Sequence, residues 1–176
     1  TKKRRMKKLI LALLVVLSAG ALNAQSKLGH VNSQKLLDTL PSRKVAINML
    51  REFEANGIKE LQEMEADFNK ALQIYEQKRG DMSPVIQKIE EEKLMRKNQA
   101  LQEREQSLQQ EMQFYSQELN KPILDRVQKA VDIVADRRKL NYVIDESVTL
   151  YFKGGTDITQ EVLVELLRLD AEATKK

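Results

Sequence analysis

The residues able to do chemistry in this chain are few and scattered. Its 176 residues include no cysteine, no tryptophan and one histidine, His30. Without cysteine there is no disulfide framework, no thiolate zinc site and no thiol nucleophile. His30 sits in Lys27-Leu-Gly-His-Val-Asn32 with no second His or Cys to share a metal, so it reads as a structural histidine. Glu90-Glu91-Glu92 offers adjacent carboxylates, the raw material of acid–base catalysis. Neighbouring helical positions point about 100° apart, so these three read as a solvated face. Arg137-Arg138-Lys139 is a triplet of the kind that contacts phosphate or lipid. It follows an apolar helical stripe, however, and cations are favoured at a helix C-terminus by its dipole. No Gly-x-x-x-x-Gly-Lys phosphate cradle occurs, and of the 6 glycines only Gly154 and Gly155 lie close together. No catalytic residue, metal or cofactor is expected, and no ATP-driven work.

The formal charge of +4 points first toward nucleic acid, but its location argues otherwise. Six basic residues fall within the first eight, followed by the apolar run Leu9–Leu17 and the small residues Ser18–Ala24. That order is the n-, h- and cleavage-region sequence of a secretory signal peptide over residues 1–24, cut after Ala21 or Ala24. Even taken from Leu9 to Leu22, about 14 residues, the apolar run is short of the roughly 20 that span a bilayer, which weighs against a retained anchor. Without the leader the balance becomes −2, with no basic face for a nucleic acid partner.

Three compositions follow. Residues 25–42 hold a strand-like run and a short helix, Ser33–Leu40, closed by Pro41. Residues 43–120 are almost free of helix breakers and carry interspersed charge, 12 basic against 15 acidic. Leu61, Met64, Phe68, Ala71 and Tyr75 step by three and four, as in a coiled-coil seam, and Leu50, Phe53 and Gly57 extend it backwards. The interruption is Lys78–Pro84: Gly80 suits a C′ position, Ser83 an N-cap and Pro84 a first helical residue. Beyond it Leu94, Leu101, Leu108 and Tyr115 recur at sevens, with Asn98, Glu105, Met112 and Leu119 four residues after each. Asn98 and Glu105 are then polar seam positions suited to fixing register. The pattern predicts an antiparallel hairpin arm with its tip near 80–84, each helix about 57 Å long.

Residues 121–176 return to a compact pattern, with Pro122 expected to kink the chain. Ile123, Leu124, Val127, Ala130, Val131 and Val134 form an apolar stripe. Asn141–Asp145 and Val148–Phe152 are rich in β-branched and aromatic residues and read as strands, with a turn at Gly154-Gly155. Asp157-Ile-Thr-Gln160 resembles a capping box opening a last helix that buries Val162, Leu163, Leu166 and Leu167. The fold class is mainly α with a small β body: a helical-hairpin arm, 43–120, inserted into a small α+β body, 25–42 and 121–176. A body so small, with no disulfide or metal and with open strand edges, calls for oligomerisation.

The leader, Lys27-Leu-Gly-His-Val-Asn32, Glu60-Leu-Gln-Glu-Met-Glu-Ala-Asp-Phe68, Leu140-Asn-Tyr-Val-Ile-Asp145 and Gly155-Thr-Asp-Ile-Thr159 together resemble the Skp/OmpH family of periplasmic chaperones of outer-membrane proteins. The resemblance covers essentially the whole chain after the leader. It implies a jellyfish-like homotrimer, with arms around a cavity that holds unfolded outer-membrane β-barrel proteins until they reach the assembly machinery. Leu28, Val31, Tyr142, Ile144, Val148, Leu150 and Phe152 would then build the oligomerisation body. Lys78, Arg79, Met82, Lys88 and Met95 would be the tip candidates for client or membrane-surface contact. Better-known members are strongly basic at the tip, whereas this arm carries −3, which works against electrostatic capture there. The competing reading of the same residues is a coiled-coil scaffold or adaptor of the cell envelope.

Overall fold

The computed structural model describes residues 27–175, so the leader expected over 1–24 lies outside the described residues. Of the described residues 81% are helical. The elements in order are β1 (Leu28–Val31), α1 (Ser33–Thr39), α2 (Pro41–Lys78), α3 (Pro84–Arg138), β2 (Tyr142–Asp145), β3 (Thr156–Asp157) and α4 (Thr159–Ala173). The described residues divide into two compact units, 27–37 with 127–169 and 38–126 with 170–175. The mainly α character with a small sheet is as expected.

The first unit is built on β1, which pairs in parallel with β2 on one side and β3 on the other. Strand alternation buries Gly29 and Val31 and leaves Leu28 and His30 half-buried. Asn32 ends the strand and starts α1, its side-chain oxygen accepting from the Lys35 amide at 2.9 Å. Ahead of α4, Asp157 accepts from the amide two residues on, that of Thr159, at 2.8 Å. Thr159 Oγ1 in turn accepts from the Asn32 amide at 3.0 Å. Ile158, Val162, Leu163, Leu166 and Leu169 are buried at helical spacing, while Leu167 is only half-buried. Each buried aliphatic of this kind contributes about 1.5–3 kcal/mol. α3 ends at a left-handed Lys139 (φ 55°), with the Leu140 amide returning to Ala135 O at 2.9 Å, a Schellman-type stop.

The strand expected over Val148–Phe152 is not there. Glu146–Val148 makes one turn of 3-10 helix, and the third strand is Thr156–Asp157. Turn chemistry outweighs β-propensity here. Asp145 accepts from the Ser147 amide at 3.0 Å, and Thr149 Oγ1 donates to Asp145 O at 2.7 Å, so the chain bends straight after β2. Gly154 and Gly155, at φ 92° and 98°, then turn it into β3.

In the second unit α2 and the first part of α3 form the hairpin. Pro41 takes the first helical position, and Leu40 before it has no side chain able to cap. Asp170 supplies the missing acceptor, taking the Ser42 amide at 3.2 Å. Its other oxygen lies 3.1 Å from Arg126 Nε, and the Arg126 guanidinium also donates to Ser42 Oγ at 3.1 Å. A buried carboxylate is thereby placed at a helix N-terminus, where the dipole favours it. α3 continues through Pro122 rather than ending there. Ile123 is buried beside it, and Pro122 lines a groove with Val45, Ala46 and Met49 of α2, so packing across the hairpin base outweighs the lost donor.

Candidate functional site

The hairpin is the first candidate surface. Leu61, Met64, Phe68, Leu94, Leu101, Met112 and Tyr115 are half-buried, and Tyr75 and Leu108 are buried. Register is fixed by contacts of several kinds along the pair. The Phe53 and Tyr115 rings lie 5.1 Å apart. Gly57 lets Leu108 in, since a Cβ there would overlap the Leu108 side chain. Nearer the tip the Tyr75 hydroxyl donates to Glu91, which raises the Tyr75 pKa above its ordinary value.

Asn98 and Glu105 are exposed and are not the polar seam positions. Three residues after Leu101, rather than four, stands the half-buried Arg104, whose Nε donates to Glu60 of α2 at 3.0 Å and whose Nη1 donates to Glu111 at 3.0 Å. Ser107 also donates to Glu111 at 2.6 Å. The Ser107 bond leads in holding the Glu111 carboxyl below its ordinary value, against desolvation and with help from Arg104.

At the tip Arg79–Asp81 forms a 3-10 turn, so Gly80 is not the left-handed terminator expected of it. Gln87 Nε2 closes the turn by donating to Arg79 O at 2.9 Å and Met82 O at 3.2 Å. Ser83 and Pro84 stand at the start of α3 as their types suggest, with Ser83 Oγ accepting from the Ile86 amide at 3.4 Å. Lys78, Arg79 and Lys88 are exposed, Met82 is half-buried and Met95 exposed. Arg79 lies over the Tyr75 ring at 5.9 Å.

The largest surprise on the hairpin is apolar. Ile58, Ile74, Val85, Ile86, Ile89 and Phe114 are all exposed, Val85 at 68% and Phe114 at 63%. None lies on the seam, and a reading that follows only the heptad passes over them. Their signal was available as aliphatic residues out of phase with the repeat. Ile58 and Ile74, sixteen residues apart, point about 160° away from each other, so they do not form a single stripe.

The second surface lies in the first unit. Tyr142, Val148, Leu150, Tyr151 and Phe152 are exposed, Leu150 fully so, whereas Leu28 and Ile144 are half-buried and Val31 buried. Among the described residues the outer edge of β2 has no partner strand, and Tyr142 and Val143 line a cavity of about 400 Å³ with Val127, Val131 and Leu140.

The remaining chemistry-bearing residues sort themselves. Glu90, Glu91 and Glu92 diverge, to Lys93 at 2.7 Å, to Tyr75, and to Arg96 at 3.9 Å. Arg137 and Arg138 are held by α4, reaching Glu165 at 3.2 Å and Glu161 at 2.9 Å. His30 is not isolated: its Nδ1 lies 2.6 Å from Glu146 Oε1, and Asp157 stands close by. Nothing local in the sequence could show this, because Glu146 is 116 residues away from His30.

Among the described residues no helix is long and apolar enough to cross a membrane. A family model described as "Outer membrane protein (OmpH-like)" matches residues 27–166. The chain is 28% identical over 165 residues to the chaperone protein Skp of Photorhabdus laumondii, covering 92% of this chain and 99% of that one. To the chaperone protein Skp of Photorhabdus luminescens it is 29% identical over the same shares. Among solved structures it resembles a putative outer membrane chaperone (OmpH-like) from Caulobacter crescentus, with a TM-score of 0.72 and 16% identity over 83% of this chain and 86% of that one. The last likeness concerns the fold.

Proposed function

The chain belongs to the OmpH-like outer-membrane protein family, and on that premise we propose that it is an ATP-independent holdase of the periplasm that shields unfolded outer-membrane β-barrel proteins. The observation that carries the reading is the set of exposed aliphatic and aromatic side chains along the hairpin, off the seam and on more than one face. An unfolded chain offers many small apolar segments in no fixed geometry. Scattered apolar side chains on a hairpin held largely by half-buried contacts match such a ligand better than one rigid pocket would. Each contact is worth only tens of calories per Å² buried, so retention comes from their number. By mass action the complex lowers the free concentration of aggregation-prone chain.

The working form in this reading is a homotrimer. Exposed Tyr142, Val148, Leu150, Tyr151 and Phe152 and the open edge of β2 are the surfaces it would cover. The hairpins of 43–120 would then stand around a shared cavity, and the tip residues Lys78, Arg79 and Lys88 would meet clients or a membrane surface. Export and removal of residues 1–24 place the protein in the periplasm. No catalytic step belongs to this reading.

The test is light scattering of a urea-denatured outer-membrane protein diluted into buffer. Stoichiometric protein should suppress aggregation without nucleotide. Unchanged aggregation would sink the proposal, and recovery of one folded partner instead would favour the adaptor.

A further inference from the structure

The parallel register of the sheet assembles a cluster that the holdase reading does not use. His30 on β1 is the register partner of Asp157 on β3. On the other side Ile144 of β2 faces His30, and the chain turns two residues later at Glu146. The potential ligand atoms of His30, Glu146 and Asp157 all lie within 4.8 Å of one another. One imidazole and two carboxylates therefore converge from three separate elements.

We propose that His30, Glu146 and Asp157 form a binding site for a first-row divalent cation of the Zn²⁺ type. Imidazole and carboxylate together suit such ions, and three protein ligands leave a fourth position for water. With Zn–N and Zn–O bonds of about 2.0–2.2 Å, tetrahedral ligand atoms stand about 3.4 Å apart. The Nδ1–Oε1 pair, now 2.6 Å apart, has to open slightly, and the widest separation, 4.8 Å at most, has to close by about 1.4 Å. Side-chain rotation of the two carboxylates supplies movements of that size.

The surroundings hold the three groups ready. Asn32 Nδ2 donates to Glu146 Oε2 at 3.1 Å, which leaves Oε1 directed at His30. The Thr159 amide fixes Asp157 Oδ1 at 2.8 Å. The Phe152 ring packs against the imidazole, centroids 4.8 Å apart, and Gly155 approaches so closely that a Cβ there would come within 3.3 Å of His30 Cδ2. Outer contacts of this kind orient metal ligands. They also draw two negative groups to one imidazole, a charge arrangement that a divalent cation neutralises. An ion here would tie β1, the turn after β2 and β3 together.

The experiment is isothermal titration of the untagged, chelator-treated full chain with ZnCl₂, and separately with MgCl₂. One Zn²⁺ site per chain is expected, with no Mg²⁺ binding at the same concentrations. His30→Gln and Asp157→Asn should each weaken Zn²⁺ binding by at least about tenfold. Asp157→Asn keeps an acceptor for the Thr159 amide, and an unchanged metal-free urea midpoint would show that its fold is intact. Absence of Zn²⁺ binding, or wild-type affinity in either variant, would overturn the site. Because the readout is metal and not aggregation, its failure leaves the holdase reading standing.

Discussion

At the scale of single residues, the polar groups matter most where the sequence makes them look ordinary. Asp170, in a helix of mixed composition, supplies the acceptor that Leu40 cannot offer α2. Arg104 rather than Asn98 or Glu105 links the two hairpin helices. Both depend on partners far away in sequence, which composition and spacing do not reveal. Three carboxyls are held below their ordinary 4.5: Glu111 by the Ser107 hydroxyl, Glu161 by Arg138, and Glu165 by Arg168, with Arg137 adding to it. A carboxyl with a lowered folded-state pKa adds stability that is complete above its unfolded value and is lost as pH falls through the folded one. The urea midpoint should therefore be flat near neutrality and drop once the pH passes below about 4.5. Glu165→Gln should lower the neutral midpoint and make the acid drop shallower. An equally steep drop in that variant would remove Glu165 from the explanation.

At the scale of elements, periodicity exposed the helices and missed what local turns and packing decide. The two hairpin helices, the turn near Gly80 and the terminal helix were legible, because a repeat of three and four with capping residues at its ends has one economical conformation. Val148–Phe152 was misread because β-propensity reports fitness for a packed sheet face. Here Val148, Leu150 and Tyr151 stay exposed, Phe152 alone of the apolar residues in the segment meets a ring, that of His30, and Asp145, Ser147 and Thr149 bond locally instead. Gly57 makes the opposite point. A glycine inside a helix costs about 1 kcal/mol relative to alanine, yet here it admits Leu108. Gly57→Ala should fail to deliver that propensity gain and should destabilise the hairpin by about 1–3 kcal/mol through overpacking. Combined with Leu108→Ala, the same substitution should cost much less than it does alone. Additive effects in that double-mutant cycle, read from urea denaturation, would show that the two residues are not coupled.

For the whole molecule, the reading joins family membership to two exposed apolar surfaces with different tasks. The one in the first unit is assigned to self-association. Sedimentation of the mature protein should give a trimer, and Val148→Ser, Leu150→Ser and Tyr151→Ser together should shift it toward monomer. A monomeric wild type would remove the cage on which the reading depends. The formal charge, +4 over the full sequence and −2 over residues 25–176, would give the hairpin no strong electrostatic hold on an unfolded chain. Capture should therefore be only weakly sensitive to salt, as expected for apolar contacts. The central claim is affinity for the unfolded state, and the absence of tryptophan makes it directly measurable. An unfolded outer-membrane protein containing tryptophan, diluted from urea and titrated with this protein, reports through its own fluorescence. A saturable blue shift at stoichiometric trimer, without nucleotide and absent for the folded client, is the predicted result. No shift, or an equal shift for the folded client, would contradict it.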